Sequence, residues 1–181
     1  MGRRIIQWFS LLLLLAAAPL WAAPADGLAA ALAKLKTATL AQDYQTLVAM
    51  THPRAIAGQG GEEQALVNAQ DSFLSLNQRG LKQSQLRFDM PHDYYPAGDD
   101  WVAFVPTHSR FENATRQITE DGYLIAVRPK AQAQWHFIDG AGIDVPQQIF
   151  DYFPTLPANI SIPKKRSKIH IITPWTPSKN Q

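Results

Sequence analysis

Cysteine is absent from all 181 residues. That one absence excludes disulfides, cysteine-type zinc sites, thiol redox chemistry, a lipidated cysteine anchor and a cysteine nucleophile, so stability has to come from packing. Histidine is sparse: five residues, none in HxH, HxxxH or HExxH spacing, and no metal site is expected. There is no Gly-x-Ser-x-Gly elbow, and no Ser-x-x-Lys accompanied by the rest of a penicillin-binding signature, which disfavours a serine hydrolase. The run Gly58-Gln59-Gly60-Gly61 precedes a helix but lacks the lysine and serine of a phosphate loop, and Glu62 and Glu63 follow it. A flexible turn is expected there, and no cofactor. No internal repeat stands out at solenoid or propeller periods.

Long hydrophobic runs are also missing, with one exception at the start. Arg3 and Arg4 precede an apolar stretch from Ile5 to Ala18, and small residues follow at Ala22, Ala23 and Ala25. The stretch is short for a bilayer span and leads into a cleavable small-residue site, so residues 1–22 read as an export signal and the mature protein as periplasmic or secreted. Cleavage after Ala22 is expected, with Ala25 as the other option. No transmembrane segment is expected in the mature chain.

Acidic residues are absent after Pro163, whereas Lys164, Lys165, Arg166, Lys168 and Lys179 all lie beyond it. Residues 23–163 hold ten Lys and Arg against fifteen Asp and Glu, a net charge of −5. A net-acidic body lacks the clustered cations that displace counterions from phosphates, so nucleic acid is not an expected partner. Residues 164–181 read as a basic, proline-punctuated, mobile or extended tail. Its cations and Trp175 are candidates for peripheral contact with an anionic membrane or a partner.

Between signal and tail the apolar period changes once. Leu28, Leu32, Leu35 and Leu40 fall near helical spacing and predict a helix over 26–41. Asp43 reads as the N-cap of a second helix over 44–50, which must stop before His52 because the residue ahead of Pro53 is pushed out of the helical region. Residues 54–57 read as a short strand or loop. A third helix is predicted over 62–78, with Leu66, Ala69, Phe73 and Leu76 on one face and Gly80 as its stop. Alternation then takes over, with a strand around Leu86, Phe88 and Met90 and three more over 101–111, 117–128 and 134–138. A short helix over 146–153 closes the domain. Hairpin-length connections predict an antiparallel meander, hence an α+β fold with N-terminal helices packed on a curved sheet.

The segment Ala41-Gln42-Asp43-Tyr44-Gln45-Thr46-Leu47 resembles the opening of the second helix in the nuclear transport factor two-like superfamily. The pair Tyr123-Leu124-Ile125-Ala126-Val127 and Trp135-His136-Phe137-Ile138-Asp139-Gly140 resembles that family's last two long strands. The resemblance covers roughly residues 28–153 and implies a single cone-shaped domain over 23–163 with a pocket open at one end. It also implies a small apolar or anionic ligand, or a homodimer formed through the sheet face. The family's ketosteroid isomerase-like members place a carboxylate base opposite a tyrosine, and neither position matches here residue by residue.

Candidate ligand-binding residues are His52, His108, Tyr123, Trp135 and Asp139. His52 sits at a helix end beside a proline, where it serves either the pocket mouth or the helix-end carbonyls. His108 and Arg110 point the same way and form an anion-binding pair if that face is concave. Tyr123 reads as a core tyrosine or a ligand contact, and Asp139 as a turn cap or a general base. Two functional readings follow: a non-catalytic ligand- or partner-binding module, or a cofactor-free isomerase, dehydratase or lyase using His52, His108, Tyr123 and Asp139.

Overall fold

A computed structural model describes residues 23–172; the expected signal over 1–22, Trp175 and Lys179 lie outside these. The architecture is α+β, with five α-helices and an open six-stranded antiparallel sheet among the described residues.

Helix α1 (Leu28–Ala41) buries Leu28, Leu32, Leu35 and Ala38, one stripe at helical spacing. It ends at Gln42, whose left-handed backbone (φ 54°) returns its N–H to the carbonyls of Ala38 and Thr39. Asp43 caps α2 (Tyr44–Ala49) by accepting from the backbone N–H of Thr46 at 3.1 Å and its hydroxyl at 2.7 Å. The segment expected as strand or loop is instead a helix, α3 (Pro53–Gly58). Two local features favour it: the fixed φ of Pro53 suits the first helical position, and His52 Nδ1 accepts from the N–H of Arg54 at 3.2 Å. His52 therefore caps the start of α3 rather than the carbonyl end of α2. Helix α4 (Glu62–Gln78) spans the predicted residues, with Glu62 and Glu63 beside its positive N-terminus. Its predicted inner face is only half-buried: Phe73 stands edge-on to Tyr44 and, with the sheet opposite, lines an open cleft.

The strands are β1 (Lys82–Phe88), β2 (Tyr95–Ala97), β3 (Asp100–Glu112), β4 (Arg116–Pro129), β5 (His136–Asp139) and β6 (Arg166–Ile171). β3 and β4 pair in unbroken register from Asp100 opposite Pro129 to Glu112 opposite Gln117. Asn113 Oδ1 closes their turn by accepting from the N–H groups of Thr115 and Arg116. The other edge of β4 is shared: β5 pairs with residues 124–127 and β6 with residues 116–121. Residues 166–171, assigned from sequence to a tail outside the domain, are thus a strand of the sheet. Cationic composition concealed an alternation of Arg166, Lys168 and His170 with Ser167, Ile169 and Ile171 that β4 accepts as a partner.

Strand alternation gives the sheet two apolar faces. On one, Val105, Ala126, Trp135 and Phe137 pack against Leu28, Leu32 and Leu35 of α1 and against Met50. On the other, Val102, Phe104, Tyr123, Ile125, Val127 and Ile138 pack beneath Ile149 of α5 (Gln147–Tyr152), Phe153 and Leu156. Fully buried Val102, Val105, Ile125 and Ile149 each contribute about 1.5–3 kcal/mol by leaving water. The α2–α3 junction is tied to β5 by two backbone bonds, Phe137 N–H to Met50 O at 2.8 Å and His52 N–H to Phe137 O at 2.9 Å.

Candidate functional site: a cleft between helices and sheet

The helix-facing side of the sheet changes in size along β3 and β4. Near α1 it presents Val105, Ala126, Phe137 and Trp135, which reach the helices and fill the space. Farther along, Thr107 lies opposite Gly122 and Ser109 opposite Glu120. These side chains are too small, or too polar, to span the same gap. A cleft of about 650 Å³ results, walled by Leu86, Phe88, Phe111 and Leu124 of the sheet and roofed by Leu35, Leu47 and Phe73 of the helices.

One side of the cleft lies at the discontinuity on β4. β5 ends at Asp139, β6 starts at Arg166, and Gly122 and Tyr123 lie between the two paired stretches. Gly122, Tyr123, Asp139, Ala141, Lys165 and Arg166 all border the cleft there. Lys165 crosses the discontinuity: its Nζ donates to the carbonyls of Gly140 at 3.1 Å and Ile143 at 2.5 Å. Gly140 is required on packing grounds. A Cβ there would stand 2.4 Å from the Tyr123 carbonyl oxygen and 2.6 Å from its ring.

Several polar side chains around the cleft are already engaged locally. Thr39 and Thr51 donate to the carbonyls of Leu35 and Leu47, each at 2.9 Å, and Gln83 Nε2 reaches Ser109 Oγ at 3.5 Å. Asp139 accepts from Ala141 N–H at 2.9 Å and caps a 3-10 turn over Gly140–Gly142, the turn role read from sequence. Glu120 shares the helix-facing side with Ser109 and adds a second carboxylate. Apolar walls, a few hydroxyls and a border of mixed charge, Glu120 and Asp139 with Lys165 and Arg166, suit a small, mainly apolar molecule.

Of the five candidate residues, Asp139 and Tyr123 border the cleft and the other three do not. The Tyr123 ring belongs to the opposite core, edge-on to Phe104, and burial, followed by the Asp139 charge, raises its phenol above the usual value. Trp135 is a core residue: it is 2% exposed, its Nε1 donates to Asp26 O at 2.7 Å, and the Arg128 guanidinium lies 5.3 Å over its ring. Arg128 is itself fully buried and donates to the carbonyls of Ala23 and Gln132. Together they hold the first described residues on the sheet.

His52 stands edge-on to Phe153 and His136, away from the cleft. Burial first, then the neighbouring His136 and Arg54, lowers its pKa from 6.5 to about 4. Burial lowers that of His136 as well. His108 does share a face with Arg110, but it is the face turned from the cleft, and carboxylates occupy both ring nitrogens. Nδ1 lies 2.7 Å from Asp121 and Nε2 3.0 Å from Asp89, which also pairs with Arg87. That bracketing fills the place an anion would take.

Of the residues that shape the cleft, Phe73 was placed on the inner face of its helix, but Thr107, Ser109 and Gly122 were not singled out from sequence. Thr107 and Ser109 did fall on one predicted strand face, but only the register that sets Gly122 against Thr107 turns small side chains into a cleft. Lys165 and Arg166, read as membrane or partner contacts, border the cleft; Lys164 and Lys168 are exposed. Among the described residues no group of three or more His, Cys, Asp or Glu could hold a metal ion, and no helix is long and apolar enough to cross a membrane. Against protein-family models, curated proteins and solved structures, the chain finds no match.

Proposed function

We propose that this chain is an exported, nuclear transport factor two-like module of the cell envelope that binds a small, mainly apolar ligand without covalent chemistry. The observation that carries the binding reading is the cleft of about 650 Å³ between helices and sheet, a volume in the range of small-molecule sites. Export rests on the N-terminal residues Arg3 to Ala25, and the family on the residue resemblance together with the order of helices and strands. Glu120 and Asp139 share the border with Lys165 and Arg166, so the mainly apolar walls, rather than the charge there, favour an uncharged ligand. The acid/base reading has less support: His52 and His108 lie away from the cleft, and Asp139 is engaged in its turn.

Native mass spectrometry of the purified protein before and after organic extraction tests the reading, with Gly122→Leu as the filled-cleft variant. A Cβ at Gly122 meets Thr107 Oγ1 at 3.2 Å, so the added side chain starts inside the cleft. The expected result is a retained small molecule, or uptake of an apolar fluorophore such as 1-aminoanthracene, that Gly122→Leu abolishes while remaining folded. Equal uptake by the folded variant, or none by either protein, overturns the reading.

A further inference from the structure

We infer that the outer edge of β6 is a docking site for an extended peptide strand in which acidic and aliphatic residues alternate. Among the described residues β6 pairs with β4 alone, so its other edge offers unpaired backbone groups. All six of its residues are exposed, including Ile169 at 64% and Ile171 at 75%, well above the usual exposure of isoleucine.

The strand's two sides differ in chemistry. Arg166, Lys168 and His170 project to one face of the sheet, and Ser167, Ile169 and Ile171 to the other. Two of the six pairs on the inner edge match this chemistry, Asp121 opposite Arg166 and Ile118 opposite Ile169, whereas Ile171 stands opposite Arg116 and Ser167 opposite Glu120. Directly opposed residues on neighbouring strands share a face, so a strand on the outer edge meets the same requirement. Carboxylates belong opposite Arg166 and Lys168, and aliphatic side chains opposite Ile169 and Ile171. Lys168 faces uncharged Thr119 on the inner side, and Arg110 lies across from Thr119 on β3, so positive potential there is not cancelled in register.

Two other occupants fit less well. A second copy of this chain would bring two cationic strands together, which like-charge repulsion opposes. An anionic bilayer supplies no partner for the backbone edge, and a flat surface cannot engage cations and isoleucines on opposite faces of one strand. An added peptide strand engages the edge and both faces at once.

The probe is a fluorescein-labelled peptide of four Glu-Val repeats flanked by glycine, compared with a block peptide of four Glu followed by four Val. Binding to the protein expressed from the full chain is read by anisotropy, and the contact by hydrogen exchange. The alternating peptide is expected to bind at least tenfold more tightly and to protect amides within residues 166–172. The double variant Arg166→Glu, Lys168→Glu, with both substitutions at exposed positions, is expected to lose at least tenfold in affinity and to gain affinity for a Lys-Val alternating peptide. If that variant does not fold, Lys168→Ala with the same two peptides gives a smaller loss in the same direction. Equal binding of the alternating and block peptides, protection elsewhere, or no binding overturns the inference. So do a concentration-dependent dimer that excludes the peptide, and flotation with phosphatidylglycerol vesicles that the double variant abolishes while peptide binding is absent.

Discussion

His52 makes stability depend on pH with a calculable sign. Its Nδ1 must be unprotonated to accept from the Arg54 N–H, and its folded pKa of about 4 lies below the 6.5 of an exposed imidazole. Above pH 6.5 the ring is neutral in both states and costs nothing. As pH falls below 6.5 the unfolded chain takes up a proton that the folded ring refuses, so stability declines until about pH 4, where the folded ring protonates too. From 6.5 and about 4, linkage gives a loss of roughly 2 kcal/mol at pH 5 and just under about 1 kcal/mol at pH 6. The ring is only half-buried, and solvent screening brings the expected loss at pH 5 to about 1–2 kcal/mol. The comparison is with His52→Asn, whose amide oxygen caps a helix and does not titrate. Urea unfolding of both proteins from pH 8 to pH 5 should show the wild type losing that much more than the variant; His136 titrates in both and largely cancels. A histidine NMR titration should find His52 neutral, with its proton on Nε2, down to below pH 5. Parallel pH profiles, or a His52 midpoint near 6.5, would refute the reasoning.

Further expectations concern packing and the link between β5 and β6. Gly140→Ala forces a methyl into the Tyr123 backbone and ring, and should cost about 2–3 kcal/mol in denaturant unfolding. Arg128→Met keeps the buried stem but leaves the Ala23 and Gln132 carbonyls without the guanidinium; a loss of about 2–4 kcal/mol is expected, with faster proteolysis near residues 23–27. Lys165→Met should barely change the unfolding midpoint, yet raise hydrogen exchange at Gly140–Ile143 and quicken apolar probe exchange, because it removes the link between β5 and β6. Unchanged exchange in that variant would refute the role of that link.

The order of elements could be read from period and caps, because those signals are local. Four of the α-helices and the two long strands lie within a residue or two of where the spacing places them; Asp43 and Asp139 take the cap roles that their neighbours imply. Residues 53–58 were missed because the helix depends on a histidine cap, and the ring direction that makes His52 an acceptor is fixed by its packing on Phe153 and His136. β6 was missed because five cations and several prolines outweighed a two-residue alternation that has no meaning until β4 offers an edge. Tertiary structure alone decided the site. A strand does not reveal which neighbour stands opposite, so Thr107 against Gly122, the shared edge of β4 and the Lys165 link became visible only once residues far apart in the chain were paired. Likewise, sequence could name Trp135, His108 and Tyr123 as aromatic or titratable, but only their surroundings show a core ring beneath Arg128, an imidazole between two carboxylates and a phenol facing away from the cleft. Local chemistry determined the elements, and long-range pairing decided which of their side chains meet.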